Sequence, residues 1–225
     1  MSSAHPIRVV TLVTAACAGA GIGLATGCSG TSYQYAGYST HEYFAMDGNR
    51  AWEYVSDNED TTWKLQVDKL VPVEETDNKE IVTLEYSKQD PAEYLFSVKW
   101  SSDSSDGILI HSWDDGSGWT ELDSPVQLSE YQMVPGDEVE SSGGGYDFTA
   151  TFNEVMPCPN HWISEDNTWD CLHFTLDDGD GDPMTGPPMA GDWWLAKGWG
   201  ASIFTPTGYD EPWVLSDGDW TPDSE

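Results

Sequence analysis

The sequence predicts an all-β fold: a single antiparallel meander of about ten strands, curled into a barrel-like wrap or split as a sandwich. Three observations carry this. Apolar residues recur at every second position rather than at a helical period. The runs are rich in β-branched and aromatic side chains. Clusters of Asp, Asn, Ser and Gly punctuate them at hairpin spacing.

Trp63, Leu65 and Val67 alternate with Lys64, Gln66 and Asp68. Tyr94, Phe96, Val98 and Trp100 alternate with Leu95, Ser97 and Lys99. Phe148, Ala150 and Phe152 alternate with Thr149 and Thr151. Turn clusters fall at 57–60, 74–78, 101–107, 114–118 and 141–145. Strands are therefore expected near 50–56, 62–71, 80–87, 92–101, 107–113, 136–141, 145–155, 168–176, 191–197 and 200–205, with a last short one at 212–216. No window of helical length beyond position 42 has an amphipathic pattern. Composition is uniform and no repeat is visible, so 42–225 reads as one acidic β-domain.

The N-terminal part reads differently. Met1 to Arg8 carries one positive side chain and no acid, and Val9 to Leu24 is small and apolar throughout. That run is shorter than the roughly 20 residues a spanning helix needs, and it ends in small residues, as a signal peptide does. The tract Leu24-Ala25-Thr26-Gly27-Cys28 matches a lipoprotein cleavage site, with Ala25 where an aliphatic residue is usual. Residues 1–27 are then a lipoprotein signal peptide, and Cys28 begins the mature chain and carries the acyl chains. An ordinary signal peptide, cut near Ala25 or Gly27, is the alternative. Two or more acyl chains anchor a protein stably, where one binds only marginally. Ser29, in a place where aspartate favours inner-membrane retention, leans towards the outer membrane. Residues 28–41 have no apolar period and read as a tether, although Tyr33, Tyr35 and Tyr38 offer rings that can pack back on the domain.

Removing 27 residues leaves 198, enough for one domain with a real core. All 40 acids and seven of the eight basic residues lie in that part, a formal charge of −33. Such a surface repels nucleic acid and anionic headgroups, which argues against both as partners. Low hydrophobicity with high charge can signal disorder, but 12 Trp, 10 Tyr and 6 Phe argue for a packed core.

One resemblance covers most of the mature chain. Tyr43-Phe44-Ala45-Met46-Asp47-Gly48-Asn49-Arg50-Ala51-Trp52-Glu53-Tyr54 resembles the Tyr-x-Pro-Leu-x-x-Gly-Asn-x-Trp-x-Tyr opening of many largely uncharacterised secreted bacterial lipoproteins. Three further landmarks follow in the same order: Asp106-Gly107-Ile108-Leu109-Ile110, Pro135-Gly136-Asp137-Glu138-Val139, and Trp194-Leu195-Ala196-Lys197-Gly198-Trp199-Gly200. Ala45 stands where the group usually has proline, and Trp199 where it has a smaller residue. The resemblance implies an antiparallel β fold in the cell envelope and carries over no catalytic residue.

Among chemistry-bearing groups, Cys158 and Cys171 remain once Cys28 is acylated. An exported chain meets an oxidising compartment, so a disulfide is the default. The alternatives are free thiols, or a metal site of Cys158, His161, Cys171 and His173, whose spacings do not match a common zinc frame. Asp178, Asp180 and Asp182 place carboxylates at alternate positions, as calcium loops do. Counting from Asp178, however, Pro183 occupies the place of the EF-hand glycine and Met189 that of the bidentate glutamate, so the run reads first as a solvated acidic turn, with calcium as the alternative. No cofactor is assigned, and calcium stands only as that alternative.

Trp52, Trp63 and Trp100 sit at alternating, core-like positions. Trp113 and Trp119 flank a turn and are expected to pair across it. Trp193 and Trp194 must face opposite ways, which leaves Trp194 and Trp199 as candidate exposed, ligand-binding aromatics. No Gly-x-Ser-x-Gly, His-Glu-x-x-His, Walker or Cys-x-x-Cys motif is present, so no catalytic residue is assigned. The expectation is a lipid-anchored envelope protein with a non-catalytic structural or interaction role and an envelope protein or glycan as partner. A glycan- or calcium-binding module and a carrier of an apolar ligand are the alternatives.

Overall fold

The computed structural model describes residues 37–44, 46, 49–58, 61–76, 79–89, 91–158, 170–180, 186–209 and 211–221. The strands are β1 (Tyr38–Ser39), β2 (Asn49–Asn58), β3 (Thr61–Thr76), β4 (Lys79–Gln89), β5 (Ala92–Asp103), β6 (Gly107–Asp114), β7 (Trp119–Ser129), β8 (Gln132–Met133), β9 (Glu138–Gly143), β10 (Tyr146–Pro157), β11 (Asp170–Asp177), β12 (Gly191–Ala196), β13 (Gly200–Pro206) and β14 (Trp213–Thr221). A short 3₁₀ turn covers Thr40–Tyr43.

Twelve strands form one sheet in the order β7-β6-β5-β4-β3-β2-β14-β13-β12-β11-β10-β9, and every neighbouring pair is antiparallel. Each hairpin joins sequence neighbours, and β14 pairs back onto β2. The sheet curls into a nearly closed, barrel-like wrap, which decides the architecture for the barrel over the sandwich. Its two free edges, β7 and β9, meet through side chains. Leu122 and Val126 lie where a β-carbon on Gly143 would stand, and the Gln127 N–H donates to Ser141 Oγ at 3.2 Å.

A twelfth strand, β7, was not expected. Its apolar period is broken because Ile110 pairs with Val126 while Ser112 pairs with Glu121, so residues 122–125 bulge out. Pro125 lies in that bulge and has no N–H to give to β9, a placement proline tolerates at a sheet edge.

The inward positions fill the barrel with rings. Trp193 stacks on Phe204 with centroids 5.1 Å apart, Tyr86 on Phe96 at 4.3 Å, and Phe152 on Phe174 at 4.7 Å. Leu65, Val67, Phe148, Ala150 and Phe152 are buried as their alternation requires, and so are Trp52 and Trp100. The side chain of Trp63 lies outside the described residues. An apolar cavity of about 20 Å³ remains beside Phe44, Met46 and Tyr86.

Residues 37–44 and Met46 pack across one end of the barrel. Tyr38–Ser39 pairs with β8, and Tyr38 meets Phe152 edge-on at 5.9 Å. Buried Thr40 donates its N–H to Tyr131 O and its hydroxyl to Glu130 O, and receives the Ser129 hydroxyl. Phe44 lies 4.8 Å from the Trp100 ring, and the almost wholly buried Lys69 ammonium donates to Met46 O at 2.9 Å. The last part of the expected tether belongs to the barrel, because its hydroxyls and one ring meet partners that are distant in sequence. Tyr33 and Tyr35 lie outside the described residues.

Glycine is required at Gly107, where φ is +86° and a β-carbon would stand 2.3 Å from Ser129 O. That close approach explains the Asp-Gly start of β6.

Every lysine is ion-paired: Lys64 with Glu53, Lys69 with Glu80, Lys79 with Asp103 and Asp106, Lys88 with Glu93, Lys99 with Glu74, and Lys197 with Glu42. The exposed pairs Lys64–Glu53 and Lys197–Glu42 contribute little individually. On the outer wall, half-buried His111 sits 2.8 Å from Ser101 Oγ. Burial holds the His111 pKa below its ordinary 6.5, and the charges of Lys79 and Lys99 add to this. The folded chain then resists a proton that the unfolded chain accepts. Stability is expected to fall as pH drops through about 6.5, until the folded-state value is passed. Denaturant midpoints measured on either side of that pH should differ less in His111→Gln than in the parent; equal slopes would refute the assignment.

Candidate functional site on the outer wall

Cys28 and Asp182 lie outside the described residues. Cys158 and Cys171 form a disulfide with Cα atoms 4.8 Å apart, joining the end of β10 to the start of β11. A zinc site needs thiolates, and both sulfurs are committed to each other, so the Cys₂His₂ alternative falls. His161 is outside the described residues.

Trp193 is fully buried, and Trp194 faces the other way onto the outer wall. Trp199 does not join it. Trp199 packs against the core from the β12–β13 turn, and its carbonyl accepts the Trp52 indole N–H at 3.0 Å. That turn holds the indole down, which an alternation argument could not foresee. Trp113 and Trp119 also do not pair. Thr120 stands opposite Trp113, and Trp119 opposite Asp114. Consecutive positions alternate faces, so Trp113 is buried while Trp119 is exposed.

A polar ladder runs across the outer wall of β10, β11 and β12. The register places Thr175 opposite Asp192 and His173 opposite Trp194. A bulge between Phe152 and Glu154 brings Asn153 beside Thr175. Asn153 Nδ2 donates to Thr175 Oγ1 at 2.8 Å, and Thr175 Oγ1 donates to Asp192 Oδ1 at 2.6 Å. His173 Nε2 stands 3.2 Å from the same oxygen, and its ring stacks on Trp194 at 4.3 Å and 6°. The His173 hydrogen bond holds the Asp192 carboxyl below its usual range; burial opposes it and Thr175 reinforces it. The ladder fixes one carboxylate oxygen with two donors and covers one indole face with an imidazole.

Asp192 also lines a cleft of about 280 Å³ where β11 and β13 end and β12 begins. Asp177 and Asp178 line it too, with Thr175, Thr205, Thr207 and Tyr209. Gly191 lets β12 approach β13 here, since a β-carbon would stand 2.0 Å from Thr205 O. Asp177 Oδ1 and Asp178 Oδ1 accept backbone N–H groups of Gly179 and Asp180. Asp178 Oδ2 is buried against Gly186 and has no hydrogen-bond partner among the described residues. Asp178 and Asp180 are thus joined by a turn hydrogen bond. Among the described residues, no three His, Cys, Asp or Glu side chains come close enough to hold one metal ion.

Sequence reasoning singled out Asp178 and Trp194 but missed Asp177 and Asp192 as lining residues. It also missed the exposed aromatics Tyr94 and Trp119. Tyr94 was grouped with the core residues of its strand. A bulge pairs Tyr86 with Phe96 but Ser87 with Tyr94, which turns the ring outward. Its hydroxyl is held by Ser97 Oγ and Asp114 O, and the Lys99 ammonium lies 5.0 Å from the Trp119 ring centre.

Fold and site together define a plugged, ring-filled antiparallel β-barrel with an acidic cleft at the end of its outer wall. Comparison with protein-family models, curated proteins and solved structures finds no match to this chain.

Proposed function

We propose that this chain is a lipid-anchored protein of the bacterial cell envelope, in the outer membrane, with a non-catalytic structural or interaction role. The observation that carries this reading is the tract Leu24-Ala25-Thr26-Gly27-Cys28 behind a short apolar run. Gly37, where the described barrel begins, follows Cys28 by nine positions. Even fully extended, that chain reaches only about 30 Å, so acyl chains on Cys28 would keep the barrel beside the membrane. The outer leaflet of acids would otherwise drive it from anionic headgroups.

A barrel packed with rings supports a role on the outside of the wall rather than within it. An apolar cargo would first have to displace Phe44, Met46 and their neighbours, so the carrier reading gains no support. Metabolic labelling with a palmitate analogue tests the proposal. The parent protein is expected to take up label and sediment with membranes, and Cys28→Ala to lose both. Unchanged labelling in the variant would overturn it.

A further inference from the structure

We propose that the outer wall at β5, β6 and β7 binds an uncharged, extended glycan. It would stack on Tyr94 and Trp119 and continue into the open seam between β7 and the β9–β10 hairpin. This names a partner for the interaction role proposed above. Its test reads sugar binding and not acylation, so either reading can fail alone.

The two rings start the argument. Tyr94 and Trp119 are each 41% exposed, and no other aromatic side chain among the described residues is as exposed. They belong to one patch. Ser97 Oγ and Asp114 O hold the Tyr94 hydroxyl, and Trp119 stands opposite Asp114 in the register. Neighbouring strands lie about 4.8 Å apart, so the rings stand roughly 5–10 Å from each other. Both are fixed before a ligand arrives. The hydroxyl pins Tyr94, and the Lys99 ammonium, itself paired with Glu74, lies over the Trp119 indole. A ring already ordered loses little freedom on binding. Flat aromatic faces of this kind bury the C–H faces of pyranose rings.

The surroundings select a sugar over an apolar protein face. Interface cores between proteins are depleted in charge. Here carboxylates border both rings: Asp114 and Asp115 in the β6–β7 turn, and Glu121 two positions along β7 from Trp119. Asp114 Oδ1 accepts the Gly116 and Gly118 N–H groups, and Asp115 Oδ1 accepts that of Ser117, so the turn holds both carboxylates in place. Carboxylates accept hydrogen bonds from hydroxyl groups, which a glycan presents in number. The same carboxylates would repel an anionic glycan.

The seam extends the site. Glu121 also lines an open cleft of about 680 Å³, with Asp123, Ser142, Gly144, Tyr146 and Asp147. That volume lies within the range of small-molecule sites. Gly144 packs against Trp113 and Thr120, and a β-carbon there would collide with the Trp113 ring. Thr120 adjoins both Trp119 and Glu121, so the ring platform and the cleft are continuous along β7.

Calorimetric titration of the full chain with cellohexaose and chitohexaose, both uncharged, tests this. Hexagalacturonate is the anionic comparator, and the matching disaccharides are the short ones. Saturable binding of at least one uncharged hexamer is expected, tighter than its disaccharide because the track is longer than the two rings. Trp119→Ala and Tyr94→Ala should each weaken it about tenfold, the scale of one aromatic contact. Val134→Ala, exposed beside β8 and away from both rings, should leave it unchanged. Circular dichroism on each variant separates lost binding from lost folding, and either ring variant alone is decisive if the other fails to fold. The proposal is overturned by no saturable binding of either hexamer at millimolar concentration, or by hexagalacturonate binding as tightly. It is overturned equally by a disaccharide that matches its hexamer, or by binding that either folded ring variant leaves intact. Self-association that Trp119→Ala abolishes in sedimentation velocity would overturn it too, since the rings would then dock a second copy.

Discussion

Trp193→Ala is expected to destabilise the barrel by about 3–5 kcal/mol, the range for deleting a large buried ring. Trp193 has no exposed surface and sits where three packing relations meet. Its ring stacks on Phe204, meets Trp100 edge-on at 5.6 Å, and donates its indole N–H to Met189 O at 2.9 Å. The substitution removes ring contacts on both sides and leaves a buried carbonyl without its donor, two costs with separate origins. Neighbouring rings come from β5 and β13, so the gap cannot close by moving one strand. Trp194→Ala is the internal control. That residue is adjacent in sequence and of equal volume, but it lies on the outer wall against His173. Its loss should cost about 1 kcal/mol, the scale of one aromatic pair. Denaturant unfolding measures both, provided the slope m stays constant. Equal costs for the two variants would mean that the inside and outside of β12 are assigned wrongly.

That contrast was legible in the sequence only in part. Adjacent tryptophans on a strand must face opposite ways, but which one faces inward depends on pairing with β11 and β13. Alternation located β10 well, because Phe148, Ala150 and Phe152 keep an unbroken period of two up to its bulge. It missed β7 because Ser124 and Pro125 interrupt the apolar period between Leu122 and Val126, where the strand bulges. It placed Tyr94 in the core because a single-residue bulge at Leu95 reverses the face of everything before it. At Tyr94 the local rule holds on either side of the bulge and fails across it.

The site was less legible than the fold for the same reason. Asp192 and Thr175 are 17 positions apart, and only the β11–β12 register makes them hydrogen-bond partners. Asp177 and Asp178 looked like members of an acidic turn, one of many in a chain with 40 acids. Their place on a cleft wall depends on where β12 begins and β13 ends. The segment at 37–46 resisted reading too, since Thr40 is buried by long-range hydrogen bonds to Ser129 and Glu130 and not by apolar periodicity.

Reduction of the disulfide is the second large effect. Cys158 and Cys171 are 13 positions apart, and in the chain-entropy account a closed loop of that size stabilises by about 3 kcal/mol. The bond joins strands that already pair, since Met156 stands opposite Cys171 and Pro157 opposite Asp170. The crosslink therefore acts mainly on the unfolded chain and on fraying of this end of the β10–β11 hairpin. Cys171 has no exposed surface, so a serine there also buries a hydroxyl. Alanine is the cleaner substitution: Cys158→Ala with Cys171→Ala should match the reduced parent, and Cys171→Ser should fall below both. His173 lies two residues beyond Cys171 on the same face, so hydrogen exchange at the start of β11 should rise on reduction. Exchange in β3 and β4, on the far side of the ring, should stay the same under native conditions. A uniform rise across the barrel would instead show that the bond governs global unfolding alone. No change in stability on verified reduction would refute the expectation, because β10 and β11 would then hold that end without it.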